Sequence, residues 1–164
     1  MQTPSYITYG VVDLEDLKSI AKETAEKYSY NANRDNLYKL LLETAIVETN
    51  AGNASMDVNR SYGRSIMQFD KIGYEEALRV RNIYKNNDFQ EQINKGYMSE
   101  AMQRNPRFAF YLARFFYLGK IEAIPSTLKE RAEYWKKYYN TGGGAGTASA
   151  YISRVQSHLG KDWN

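Results

Sequence analysis

Apolar residues recur along the chain at intervals of three and four, and the strict alternation of a half-buried strand is nearly absent. The pattern predicts an all-α protein of about seven helices. Asp13 stands before Leu14, Leu17, Ile20 and Ala21, which predicts a first helix capped by Asp13 and running towards Tyr28. Asn31–Asn33 reads as a turn. A second helix is expected from near Asp35 to about Gly52, carrying Leu37, Leu40, Leu41, Leu42, Ala45, Ile46 and Val47. A polar loop from Asn53 to about Ser65 follows, then shorter helices around Tyr74–Ile83 and Gln90–Met102. Pro106 suits the first position of a helix that is apolar nearly all round, through Phe108, Phe110, Leu112, Phe115 and Phe116 to Gly119, and such a helix belongs at the centre of a fold. Pro125-Ser126 opens another helix reaching about Tyr139. The glycines at 142, 143, 144 and 146 break it, and Ala148 to Leu159 forms the last.

Composition narrows the class. At 164 residues, 43% hydrophobic and 25% charged, the chain has the balance of one globular domain spanning residues 1–164, with no repeat and no linker-like stretch. No run of 18 apolar residues is present, so stable membrane insertion is not expected. Met1–Tyr9 lacks a basic start followed by an apolar core, so it does not read as a secretory signal. Without cysteine, disulfides and thiolate metal sites are excluded. The net charge of +3 is spread along the chain rather than gathered into a basic patch, which argues against nucleic acid as a partner. Fifteen tyrosines are many for this length, and rings with a polar tip suit sugars, cores and interfaces alike.

Two carboxylates sit on the second helix, Glu43 and Glu48. Five positions apart at about 100° per residue, they point roughly 140° away from each other and cannot share one cleft. Lys39 lies four residues before Glu43, which predicts a surface ion pair for Glu43. Glu48 is different. Counting back by three, four and seven reaches Ala45, Thr44 and Leu41, with Leu37 a turn further, so Glu48 closes an apolar stripe where the helix enters a polar loop. Partial desolvation there favours the neutral carboxyl, as general-acid catalysis near neutral pH requires.

Two further segments carry polar groups suited to a groove. Gly63-Arg64-Ser65-Ile66-Met67-Gln68-Phe69 follows the loop of small polar residues and can present amide and thioether groups. Tyr138-Tyr139-Asn140-Thr141, with the glycines after it and Tyr151 and Val155 beyond, joins an aromatic helix end to a flexible approach. A phosphate loop is excluded, since the Lys-Ser/Thr pair it needs is missing. The single histidine, His158, reads as a surface or packing residue, so neither a zinc site nor a Ser-His-Asp triad can be assembled. No metal or other cofactor is expected.

Taken in order, Glu48-Thr49, Ser65-Ile66-Met67-Gln68, Tyr139-Asn140-Thr141-Gly142, and Tyr151 with Val155 resemble the motifs of the lytic transglycosylases of the lysozyme superfamily. The match spans about residues 36–156, and the stretches Ala123–Thr127 and Tyr134–Thr141 are similar to phage-encoded members. Ser65 stands where that family usually has Gly, and Thr141 where it has Ala. The resemblance implies a lysozyme-like fold with a substrate groove and peptidoglycan glycan strands as substrate. It also implies that Glu48 protonates the bond between N-acetylmuramic acid and N-acetylglucosamine, then acts as base on the muramic C6 hydroxyl to close a 1,6-anhydro ring. Thr49, Ser65, Met67, Gln68, Tyr139, Asn140 and Tyr151 would line the sugar subsites.

Glycosidases of the ordinary kind use two carboxylates roughly 5–10 Å apart. Asp57 and Asp70 lie near the motifs, but neither matches a nucleophile position, which favours the single-Glu transglycosylase. A muramidase hydrolysing the same bond is the alternative within enzymes. A non-catalytic glycan-binding virion component is the alternative outside them. The substrate lies beyond the cytoplasmic membrane, so virion tail proteins that carry the enzyme, or a holin-type pore that releases it, are the implied partners.

Overall fold

In the computed structural model, residues 9–52, 63–141 and 144–164 are described. Those residues form eight helices and no strand, and the all-α expectation holds. We number the helices α1 (Leu14–Lys27), α2 (Arg34–Thr49), α3 (Lys71–Ile83), α4 (Gln90–Lys95), α5 (Glu100–Arg104), α6 (Pro106–Leu118), α7 (Leu128–Tyr138) and α8 (Ala148–Leu159).

Side-chain caps decide most of the boundaries. Asp13 accepts the Asp16 N–H at 2.8 Å and starts α1, as its position before the apolar series requires. Asn33, read from sequence as the end of a turn, instead caps α2 by accepting the Asn36 N–H. Thr127 rather than Ser126 opens α7, because its hydroxyl meets both the Glu130 N–H and the Glu130 carboxyl in a reciprocal cap. The stretch expected to be one helix over Gln90–Met102 is two. Gly96 takes φ +91, which a helix cannot contain, and Ser99 then caps α5.

α6 is the hub. From Phe108 through Tyr117 every side chain is buried, and the helix packs on α1, α2, α3 and α5. α2 lies between this assembly and the α7–α8 pair, packing on α1 and α6 on one side and on α8 on the other. Its C-terminal end therefore emerges where α7 and α8 meet the rest of the molecule. The tyrosines serve mainly this interior. Tyr9, Tyr28, Tyr74, Tyr111, Tyr117, Tyr134 and Tyr151 are all buried, and Tyr117 stacks on Tyr139 with ring centres 5.5 Å apart.

The structure corrects the reading of Glu43. Its carboxylate is fully buried, not on the surface, and Lys39 pairs with Asp35 instead. Glu43 receives Arg131 in a two-pronged pair at 2.8 Å and 2.8 Å, the Tyr151 hydroxyl at 2.8 Å and the Trp163 indole N–H at 2.7 Å. Helical spacing made Lys39 a plausible partner. Only packing revealed that this face of α2 lies beneath α7, α8 and the C-terminal turn.

Candidate active site

Glu48 is half-buried in the last turn of α2 and lines an open cleft of ≈ 320 Å³. The cleft's other walls come from Trp135 on α7, Asn140, the segment 145–147, and Ala150, Tyr151 and Arg154 on α8. Among the described residues Glu48 is the one carboxylate in that lining. The buried Trp135 donates its indole N–H to Glu48 Oε1 at 3.1 Å, which ties the carboxyl to α7. Arg154 donates to the Val47 carbonyl at 2.7 Å, bringing a cation to the carbonyl-rich end of α2. Glu43 and Glu48 do part company: one is sealed in the core, the other faces the cleft.

The helix ends abruptly here. Asn50, Ala51 and Gly52 all take positive φ (52, 59 and 84), so the backbone turns away directly after Thr49. Thr49 is fully buried. Its hydroxyl shares its one proton between the Ala45 and Ile66 carbonyls and accepts the Gly52 N–H, which fastens the end of α2 to the segment around Ile66. His158, half-buried, bonds Asn50 through its ring nitrogen at 2.7 Å, and burial lowers its pKa with Arg154 as a lesser cause.

Residues 64–69 form a tight hairpin-like turn. Arg64 and Phe69 exchange two backbone hydrogen bonds at 2.8 Å, and the Gln68 side chain and N–H both donate to the Ser65 carbonyl. Ser65 and Gln68 take φ +69 and +51, a region that favours glycine. The turn is clamped from three sides. Thr49 holds the Ile66 carbonyl, the Tyr139 hydroxyl donates to the Met67 carbonyl, and the Gln103 side chain accepts the Ser65 N–H.

The residues predicted to line sugar subsites are thus gathered around the end of α2, but in two layers. Thr49, Ser65, Met67 and Tyr151 are buried, and their polar atoms are engaged within the supporting structure. The Tyr151 hydroxyl points to Glu43, and the residue borders the cleft. Gln68, Tyr139 and Asn140 are half-buried. Gln68 and Tyr139 share a small recess of ≈ 50 Å³ with Phe69, Asp70, Gly73 and Phe116, beside the Glu48 cleft. Burial drives the Tyr139 phenol far above its usual pKa, with the Glu48 charge adding to it, so the hydroxyl acts as a donor.

Asn140 is fixed rather than mobile. Lys136 donates to its side-chain oxygen at 2.9 Å and to the Gly144 carbonyl at 2.9 Å. A Cβ at Gly144 would lie 2.2 Å from the Asn140 side chain, and one at Gly146 would lie 2.5 Å from the Trp135 ring. These glycines therefore permit close packing against the cleft wall, not merely flexibility. Gly142, the last residue of the Tyr139-Asn140-Thr141-Gly142 motif, and Asp57 lie outside the described residues. Asp70 is committed to the N-terminus of α3, where it accepts the Gly73 N–H at 2.6 Å. Among the described residues no three His, Asp or Glu side chains converge as metal ligands.

Trp135 is the residue that motif reading missed. Its signal was present: it stands four positions before Tyr139, one helical turn earlier on the same face of α7. No family model, no curated protein and no solved structure matches the chain. A functional reading rests on these residues alone.

Proposed function

We propose that the protein is a peptidoglycan lytic transglycosylase in which Glu48 is first acid, then base. The observation that carries the reading is Glu48 itself: half-buried at a helix end, tethered by the Trp135 indole, in an open cleft whose described lining holds no other carboxylate. Glu48 gives its proton to the glycosidic oxygen as the bond from the muramic C1 breaks, and the N-acetylglucosamine hydroxyl departs. The substrate's own acetamido oxygen attacks C1 and spreads the positive charge. Glu48, now a carboxylate, takes the proton of the muramic C6 hydroxyl, whose oxygen displaces the acetamido group and closes the anhydro ring. No second protein carboxylate is required by this sequence of steps, in contrast to the paired carboxylates of most glycosidases. The buried Trp135 and Asn140, held by Lys136, give the cleft ordered walls, as positioning of a glycan demands.

Mass spectrometry of products from digested sacculi tests the reading. The expected product ends in 1,6-anhydro-N-acetylmuramic acid. New reducing ends without anhydro product assign the protein to the muramidases instead. Glu48→Gln is expected to lower the cleavage rate about 10²–10⁴-fold with the fold intact by circular dichroism. A variant that keeps near-normal lytic activity rejects both enzymatic readings. Retained glycan binding without cleavage in the unaltered protein points to the non-catalytic virion role. As a wall-degrading enzyme the protein acts outside the cytoplasmic membrane, reached aboard a virion or through a holin-type pore.

A further inference from the structure

A second cavity, ≈ 430 Å³, shares no lining residue with the Glu48 cleft. Its walls come from the turn before α2, the C-terminal half of α6, residues 120–124 and Tyr134 of α7. Arg114 lies at its inner end, 1% exposed.

The three buried arginines among the described residues are treated differently. Arg131 has the Glu43 carboxylate. Arg81 is wrapped by the Tyr111 hydroxyl, the Asn82 and Gln90 side chains and the Asp88 carbonyl. Arg114 donates to just two acceptors found among the described residues, the Tyr28 carbonyl at 2.7 Å and the Ser29 carbonyl at 2.9 Å. No described carboxylate forms an ion pair with it. Burial lowers its pKa to about 10, the direction expected of a guanidinium whose desolvation is not offset.

The rest of the lining adds to this positive character. Lys120, half-buried over the Phe116 ring at 4.1 Å, stands at the mouth. The acidic residue of the lining, Glu122, spends its carboxylate on Lys137. Asn31, Asn36 and Tyr84 add amide and hydroxyl groups, and Ile121 is fully exposed at the rim. With Nε and Nη2 on the two carbonyls, Arg114 keeps its Nη1 group, and this with the Lys120 ammonium gives a polar pocket the donors that recognise an oxyanion.

We propose that this cavity binds the oxyanion of a small polar ligand, a carboxylate or a phosphate, seated between Arg114 and Lys120. The site stands apart from the chemistry at Glu48 and does not depend on the transglycosylase reading. The anion supplies the counter-charge that the fold withholds from Arg114, the amides hold the ligand's polar groups, and Ile121 covers its apolar side.

Calorimetric titration of the full chain with D-alanyl-D-alanine, inorganic phosphate and neutral triacetylchitotriose tests the site, with amide chemical shifts locating what binds. At least one anion is expected to bind one-to-one, moving the signals of Asn31, Asn36 and Tyr84, and the tighter of the two names the source. Lys120→Met is expected to weaken binding about tenfold, the equivalent of roughly 1.4 kcal/mol. Ala123→Trp, at an exposed lining position, is expected to abolish it with the fold intact by circular dichroism. Arg114→Gln is also expected to abolish it. If that variant fails to fold, Lys120→Met and Ala123→Trp decide. Neither anion saturating the protein overturns the proposal, as does anion binding that survives both of those substitutions.

Discussion

At the scale of single residues, Glu48 and Glu43 show how one helix uses the same side chain for opposite ends. Each is held by an indole N–H, Trp135 for Glu48 and Trp163 for Glu43. Glu43 also has a guanidinium and a phenol and is sealed from water, whereas Glu48 opens on a cleft. The indole hydrogen bond fixes where the Glu48 carboxyl sits, and placement within an ångström governs catalytic rates. Trp135→Phe keeps most of the ring and removes the donor. Its turnover is expected to fall about 10–10²-fold, since a hydrogen bond to a charged group contributes roughly 1.5–3 kcal/mol. Stopped assays on purified sacculi measure it, and an unchanged rate shows that the indole serves packing alone. Ser65 illustrates a different constraint. At φ +69 it occupies backbone space that glycine enters more easily. Here its hydroxyl accepts the Met67 N–H at 3.1 Å and so helps to hold the turn.

At the scale of elements, the cleft depends on how α2, α7 and α8 are locked together. The Glu43–Arg131 pair joins α2 to α7, and Tyr151 adds α8. Removing one partner of a buried ion pair leaves the other charge without compensation, at a cost of about 3–5 kcal/mol. Arg131→Met is therefore expected to lose that much stability in urea unfolding. Adding Glu43→Leu is expected to recover most of it, because both charges then leave the interior together. A double variant no more stable than the single one shows that the pair's packing, rather than its charge, holds the helices. The turn at 64–69 is secured in the same manner from separate elements. Thr49, Gln103 and Tyr139 each supply one clamp, so the turn's geometry belongs to none of them alone.

At the scale of the whole molecule, the concentration of buried tyrosine ties stability to alkaline pH. Burial raises the pKa of Tyr117, Tyr139 and Tyr151 well above the ordinary value of 10.0, and pushes Tyr111 and Tyr134 up to about 12. A raised pKa in the folded state means that these phenols keep protons that the unfolded chain releases. Their contribution to stability is complete below pH 10 and declines as pH rises beyond it. Each tyrosine of this kind steepens the decline by about 1.4 kcal/mol per pH unit. The unfolding midpoint is accordingly expected to drop sharply above pH 10, together with the appearance of tyrosinate absorbance. His158 acts at the other end. Its lowered pKa means that stability is complete above about 6.5 and weakens as pH falls through that value.

Helix class and most helix boundaries were legible in the sequence because they follow from local causes. Apolar spacing marks the buried face, and a capping side chain needs only a backbone N–H three residues away, as Asp13 has at Asp16. That Glu43 and Glu48 point away from each other also followed from angles along a single helix. What stood beyond the sequence were pairings between residues distant in the chain. Glu43 meets Arg131 across 88 positions, Tyr139 meets Met67 across 72, and Trp135 meets Glu48 across 87. Periodicity states which way a side chain points from its own axis, not what another helix brings to meet it. Helix packing alone decided that Glu43 lies in the core, that Thr49 supports the end of α2 from behind, and that Arg114 lines a cavity with no described carboxylate paired to it.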